Sequence, residues 1–295
     1  MYLPFFHFKE EPFNLTPDPG FLFLSQQHEE AIESLLYGVR YRKGFMALMG
    51  EIGTGKTTLC RTLLDRLGEE VDTAVILNPM LSTLELLQTL NDDFGNSASY
   101  PTVKGQIDAL NRFLMERCQR GRNAVVLIDE AQDLSMEALE MIRLLSNLET
   151  EEKKLLQIIL SGQLELEQKL HSRALKQLNQ RIGIRYFLTG LNREETEGYI
   201  VHRICVAGGE GGVQFQEKAI DRIYRVSGGI PRLINVICDR ALLAAYAERA
   251  RLVTVRMIGE AVADVEGTTR EPVHKIYGKT LRGEKDFHVD YFKGP

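Results

Sequence analysis

Eight consecutive residues, Gly50-Glu51-Ile52-Gly53-Thr54-Gly55-Lys56-Thr57, constrain this chain more than any other stretch. They fit Gly-x-x-x-x-Gly-Lys-Ser/Thr, a loop whose backbone N–H groups wrap a polyphosphate while the lysine reaches its terminal phosphates and the hydroxyl holds Mg²⁺. Phe45 to Met49, five apolar residues between Gly44 and Gly50, predict a buried strand ahead of the loop. After it, Leu59, Leu63 and Leu67 recur four apart, which predicts an amphipathic helix that begins at Thr58 and ends at Gly68. Strand, glycine loop and helix come in the order the chemistry needs, because the positive end of the helix dipole must face the phosphates. The loop residues Gly50 to Thr57, with Thr58 behind them, are therefore expected to bind a nucleotide, Thr57 also holding the metal.

A second element answers the first. Ala124 to Ile128 is a hydrophobic run that ends in Asp129-Glu130, and open α/β sheets bind ligands at the carboxyl ends of their strands. Asp129 is expected to hold Mg²⁺, directly or through water. Glu130 is expected to align and deprotonate the water that displaces the γ-phosphate. Leu155 to Ser161 predicts a neighbouring strand. Just past it, Gln163 can touch both the γ-phosphate and the water, with Ser161 as the alternative. Arg181 stands before a fifth strand at 182–188, at a helix-to-strand junction suited to reaching a neighbouring subunit's nucleotide; Arg173 is the reserve candidate.

Other segments frame these two. Residues 1–27 are rich in aromatics and prolines, including Pro12-Phe13-Asn14-Leu15-Thr16-Pro17-Asp18-Pro19. The prolines forbid a continuous helix and favour a fixed extended strap. Such a strap packs its rings on the core, and a further reading lays Pro12, Phe13 and their neighbours to Leu15 against the adenine ring. A helix is predicted over 26–42 with Ser25 as N-cap, a strand over 72–79, a helix opened by the capping box Ser82-Thr83-Leu84-Glu85, and a helix ending near Gly121. From Leu191 onward the pattern predicts four helices (192–207, 216–227, 231–248 and 254–266) with no strands between them. Between the second and third, Gly228-Gly229-Ile230-Pro231 makes a turn and Pro231 opens a helix. Arg232 in that helix's first turn opposes the macrodipole, which points to an anionic partner such as the γ-phosphate. Residues 267–295 carry mixed charge without periodicity and read as a flexible tail. The expected partition is a strap at 1–27, an α/β nucleotide domain at 28–190, a helical lid at 191–266 and the tail.

Bulk properties exclude more than they assert. With 295 residues and a net charge of −5, the chain has no overall electrostatic push toward nucleic acid. Cys60, Cys118, Cys205 and Cys238 never approach zinc spacing and read as small buried hydrophobes of a reducing compartment. The longest apolar run, Ala241 to Ala247, is far short of the ~20 residues of a membrane helix. Met1 to Phe8 lacks the basic start of a secretory signal. A cytoplasmic protein without zinc or a membrane span is expected.

Five predicted strands, the Asp-Glu pair, Arg181 and a helical lid bearing Gly-Gly-x-Pro-Arg together resemble the AAA+ ATPases. Within them the sequence resembles the general secretion pathway protein A family (ExeA/GspA type, including the MSHA-pilus biogenesis ATPase MshM). The resemblance rests on Pro12 to Pro19, Gly50 to Thr57, Ile128-Asp129-Glu130-Ala131-Gln132, Leu144 to Thr150 and Gly228 to Asp239, and covers roughly residues 1–265. It implies a five-stranded parallel P-loop core with a small all-α lid, and Mg²⁺-dependent hydrolysis of ATP. It makes Gln163 the first sensor, Arg181 the finger acting on a neighbour's site, and Arg232 the second sensor. It also implies a ring-like homo-oligomer, a hexamer, that assists assembly or operation of an envelope secretion or pilus apparatus. Longer members carry a membrane helix and a peptidoglycan-binding part, neither found in this sequence; recruitment to the inner membrane face by a partner is the corresponding expectation. Two other functions fit the same core. One is a DNA-linked regulator like the TniB/TnsC transposition ATPases, which the charge balance disfavours. The other is a nucleotide-gated scaffold with negligible turnover.

Overall fold

Short apolar runs closed by glycine or a turn residue become strands here, and the longer leucine-spaced segments become the helices that cover them. The computed structural model describes residues 1–16, 18–96 and 100–265; the expected tail lies outside them. In chain order the first elements are α1 (Leu3–Phe6), α2 (Gln26–Arg40), β1 (Phe45–Gly50), α3 (Lys56–Arg66), β2 (Val71–Ile76), α4 (Thr83–Asp93), α5 (Val103–Gln119) and β3 (Asn123–Ile128). There follow α6 (Met136–Leu145), β4 (Gln157–Gly162), α7 (Leu164–Leu170), α8 (Lys176–Arg181) and β5 (Ile182–Leu188). The C-terminal part comprises α9 (Arg193–Val206), β6 (Gln214–Phe215), α10 (Glu217–Ser227), α11 (Pro231–Ala247), β7 (Leu252–Val253) and α12 (Val255–Val265).

The five long strands form one parallel sheet in the order β2-β3-β4-β1-β5. Every residue of β1, β3 and β4 is buried, as strands covered by helices on both faces must be. One face packs with α4, α5 and α6 through residues such as Leu86, Leu90, Leu110 and Ile142. The opposite face packs with α2 and α3 through Ile32, Leu35, Leu59 and Leu63. Burying each such side chain stabilises the fold by about 1.5–3 kcal/mol. The caps read from the sequence also form: Ser25 Oγ accepts from the His28 N–H, and Ser82 with Glu85 closes a capping box.

The C-terminal helices enclose a separate apolar cluster, and the aromatic N-terminus belongs to it: Tyr2, Phe6, Phe8, Phe13 and Phe21 are buried against α9, α11 and α12. Two details correct the sequence reading. The first is that β6 and β7 pair in parallel between the C-terminal helices, where no strand was expected; two residues each are too few to leave an alternating pattern. The second concerns thiols, since Cys60 and Cys238 are buried but Cys118 is half-buried and Cys205 exposed. No helix among the described residues is long and apolar enough to cross a membrane.

Candidate nucleotide site

The sheet order decides which side chains meet. Because β4 lies between β1 and β3, the phosphate loop at the end of β1 and the acids at the end of β3 are separated by one strand. Ile128 pairs with Leu160, so the next residue of each strand, Asp129 and Ser161, stand side by side. Ser161 Oγ donates to Asp129 Oδ1 at 2.7 Å, and Thr57 Oγ1 reaches across from α3 to donate to Asp129 Oδ2 at 2.6 Å. Asp129 is only 4% exposed, which the two hydroxyls and the Glu130 N–H (3.0 Å from Oδ1) offset by satisfying its oxygens.

The loop's shape depends on glycine at two points. Gly53 and Gly55 have φ of 83° and 99°, the left-handed region that side chains disfavour. Gly55 caps α3 without any side-chain bond, leaving the helix's first N–H groups for an anion. The loop is braced from behind by His28, whose Nε2 lies 3.2 Å from the Thr54 carbonyl and whose Nδ1 lies 2.7 Å from Ser25 Oγ. Both contacts are satisfied by one neutral tautomer, with Nε2–H donating and Nδ1 accepting. Burial draws the imidazole below its ordinary pKa, although the Thr54 carbonyl and the charges of Glu195 and Glu29 pull the other way. Lys56 Nζ donates to the carbonyls of Gly50 (2.9 Å) and Glu51 (2.8 Å). Burial lowers its pKa too, opposed by the charges of Glu130 and Asp129.

A cleft of about 370 Å³ opens from this loop toward the C-terminal helices, with Glu130 and Gln163 on one side and Arg232 on the other. Glu130 has a φ of 48°, and its Oε2 accepts from Gln132 Nε2 at 2.8 Å and from Gln163 Nε2 at 3.2 Å. Ser161 and Gln163 thus serve different acids: the buried hydroxyl meets Asp129, the cleft-lining amide meets Glu130. Arg232 closes the cleft in two ways. Its N–H reaches the Gly53 carbonyl at 3.3 Å, and a Cβ on Gly53 would lie 2.6 Å from its own Cβ. Its guanidinium makes no hydrogen bond or ion pair among the described residues.

Arg181, the last residue of α8, is exposed and lies outside the cleft. It donates to Ser146 Oγ and Asn147 Oδ1, both at 2.6 Å. Arg173 is exposed as well. The adenine expectation requires correction at two residues. Pro12 and Phe13 do not line the cleft: Phe13 is 2% exposed inside the C-terminal apolar cluster. Their neighbours Asn14, Leu15 and Thr16 line it instead, together with Leu22 and Tyr199. The segment is not the extended strap expected: a short helix, turns at 12–13 and bends at 15–16 make it up, and Pro12 and Phe13 are buried while Asn14, Leu15 and Thr16 are exposed. Sequence reasoning also missed Arg203, which is 7% exposed and donates to the Pro12 and Asn14 carbonyls. An arginine within an otherwise apolar helical stripe is its only trace in the sequence.

Comparison with known proteins agrees with this architecture. A family model described as an AAA domain matches residues 39–170. General secretion pathway protein A of Aeromonas hydrophila is 44% identical over 272 residues, which make up 92% of this chain and 50% of that protein. The chain thus spans half the length of the curated relative it matches. Among solved structures, the Aeropyrum pernix ORC2 protein in its ADPNP–ADP complexes has a TM-score of 0.62 at 18% identity, covering 91% of this chain and 74% of that one. Drosophila ORC bound to DNA has a TM-score of 0.66 at 17% identity, covering 93% and 67%. The Thermotoga maritima RuvB Holliday junction branch migration motor has 0.51 at 17%, covering 82% and 70%. At such identities these three establish the fold alone. The chain has the AAA+ fold, matches an AAA domain over residues 39–170 and is similar over most of its length to general secretion pathway protein A.

Proposed function

We propose that this chain hydrolyses ATP with Mg²⁺ as a ring-like homo-oligomer, in the service of an envelope secretion or pilus apparatus. The observation that carries the hydrolytic reading is the Glu130 carboxylate, held in the cleft by two amides one residue beyond the Asp129–Thr57 pair. Thr57 and Asp129 offer a hydroxyl and a carboxylate, an all-oxygen pair of the kind that holds Mg²⁺ alongside phosphates and water. When bound there, the ion neutralises charge on the phosphate oxygens. Lys56 exchanges its loop carbonyls for the terminal phosphates. Glu130 takes a proton from water as the water oxygen bonds to the γ-phosphorus and the bond to the ADP oxygen breaks. Gln163 steadies Glu130 and the attacking water, and Arg232 meets the γ-phosphate from the lid. Arg181, outside its own chain's cleft, completes the site of a neighbouring copy. In this reading residues 28–190 and 191–266 work as nucleotide domain and lid, and the N-terminal strap belongs mechanically to the lid. A secretion role is drawn from the name of the relative half of whose length this chain spans, and recruitment to the inner membrane face by a partner from the family resemblance of the sequence.

The test is Glu130→Gln. It removes the base while keeping shape, so binding of a fluorescent ATP analogue is expected to stay within about twofold and phosphate release to fall by about 10²–10⁴. Undiminished phosphate release would falsify the assigned base.

A further inference from the structure

The run Asp129-Glu130-Ala131-Gln132 ends in one of the two amides that hold the Glu130 carboxylate, and it takes no part in the steps of the proposed mechanism. Gln132 sits in the short 3₁₀ turn Ala131–Asp133 that follows β3, and its amide is used at both ends. Nε2 donates to Glu130 Oε2 at 2.8 Å, while Oε1 accepts from the Gln163 N–H at 3.1 Å. A longer contact runs from Nε2 to Asp133 Oδ2 at 3.4 Å. The turn is itself anchored to α7, because Lys169 Nζ donates to the main-chain carbonyls of Gln132 (2.8 Å) and Leu134 (2.6 Å). Gly162 leaves the space: a Cβ there would lie 2.9 Å from Gln132 Oε1.

We infer that Gln132 is a positioning residue, which fixes the Glu130 carboxylate and couples it to the tip of β4. The inference rests on the hydrolytic reading of Glu130. A primary amide on a side chain of this length meets both demands, with its NH₂ donating to Glu130 and its oxygen accepting from the Gln163 N–H. A carboxylate cannot donate to Glu130, a lysine or arginine cannot accept from the Gln163 N–H, and asparagine is one methylene too short. Glu130 needs such support because its φ of 48° is one that residues with a side chain hold only when their surroundings over-determine it. Gln163 contacts the same carboxylate oxygen directly and the same amide through its backbone. Any displacement of Gln163 by the γ-phosphate is therefore transmitted to Glu130 along two routes. Lys56, Arg203 and Arg232 are the cations that line the cleft with it, and none of them bonds to it directly.

The experiment measures single-turnover hydrolysis of ATP with Mg²⁺ by the full chain carrying Gln132→Ala, Gln132→Glu, Glu130→Gln, or Glu130→Gln with Gln132→Ala. Gln132→Ala is expected to slow hydrolysis by about 10- to 100-fold, with nucleotide affinity within about twofold of wild type. Gln132→Glu keeps the shape and the acceptor but loses the donor, so it is expected to be no faster than the alanine variant; it also reports if alanine unfolds the turn. In the Glu130→Gln background, Gln132→Ala is expected to add less than about twofold, because its effect runs through the missing carboxylate. A merely structural role would slow both backgrounds alike. Wild-type hydrolysis by Gln132→Ala, or full additivity in the double variant, overturns this inference while leaving Glu130 as the base. Wild-type hydrolysis by Glu130→Gln overturns both.

Discussion

A buried imidazole sets the back of the phosphate loop, and its protonation state is part of the loop's shape. His28 bonds Thr54 and Ser25 as a neutral ring. A proton on Nδ1 would replace the acceptor that Ser25 Oγ meets with a second donor, in a place where burial already disfavours charge. The sign of the pH effect follows. The unfolded chain takes up this proton near an ordinary histidine's pKa of ~6.5, whereas the folded chain takes it up only at lower pH. The stabilisation is therefore complete above ~6.5 and is lost as pH falls through the folded value. Thermal melts at about pH 7.5 and about pH 5.5 check this. Glutamine can donate to the Thr54 carbonyl and does not titrate, so His28→Gln is expected to lose less Tm than wild type between the two. An equal loss in both proteins would remove His28 from the account. The phosphate loop was legible at this scale because its requirements are local. The brace behind it was not, since nothing in Ser25 to His28 distinguishes an ordinary N-capped helix from one that carries a support for a loop 26 residues away.

At the scale of elements, α9 fastens the N-terminal strap through Arg203. The guanidinium stacks 4.4 Å from the Phe21 ring centroid and donates to the carbonyls of Pro12 (2.5 Å) and Asn14 (3.0 Å). Asn235 of α11 adds a longer bond to the Asn14 carbonyl (3.4 Å) and is itself held by the Tyr199 hydroxyl. Arg203→Ala would strip the buried Pro12 carbonyl and the part-buried Asn14 carbonyl of a charged donor and a ring of its cation, for a loss of about 3 kcal/mol. Arg203→Lys is expected to recover little, because one ammonium cannot both reach two carbonyls and lie flat on a ring. Urea denaturation measures the loss, and limited proteolysis is expected to cut within residues 1–21 in the variant first. ATP affinity should fall as well, since Asn14 to Thr16 line the cleft. The same elements mark what the sequence could reveal. Runs such as Phe45–Met49 and Ala124–Ile128 announce buried strands by themselves, and Ser82 to Glu85 announces a helix start. That β4 lies between β1 and β3 is a matter of long-range pairing, so the meeting of Ser161 with Asp129 could not be derived from spacing. Phe13 misled because an aromatic beside a phosphate loop suits a purine, whereas here the apolar cluster of the C-terminal helices has the stronger claim on the ring.

At the scale of the whole molecule, the proposed site is divided between copies, and the division makes a quantitative prediction. Arg181 is exposed, absent from its own cleft, and held by Ser146 and Asn147 at the end of α6. Those two residues belong to the Leu144 to Thr150 run, which gains a physical reason: it fixes the direction of an arginine that feels the charges of Glu140 and Glu149 but forms no ion pair among the described residues. A ring whose copies meet head to tail sets one copy's cleft against a different face of the next, so loss of the finger and loss of the base fall on opposite sides of each interface. Arg181→Ala alone is expected to lower turnover by about 10³ or more, the usual contribution of an arginine finger. Glu130→Gln alone lacks the base at every site. Mixed in equal amounts, an Arg181→Ala copy keeps its own Glu130 and receives Arg181 from a Glu130→Gln neighbour. Random assembly makes such a complete pair at one interface in four, so roughly a quarter of the wild-type turnover should return if the sites are independent. An arginine acting within its own chain gives no recovery at any mixing ratio, because neither protein then contains a complete site. A dilution series of the wild-type protein is the control: turnover per chain should fall as copies separate, and the recovered activity of the mixture should fall with it over the same concentrations.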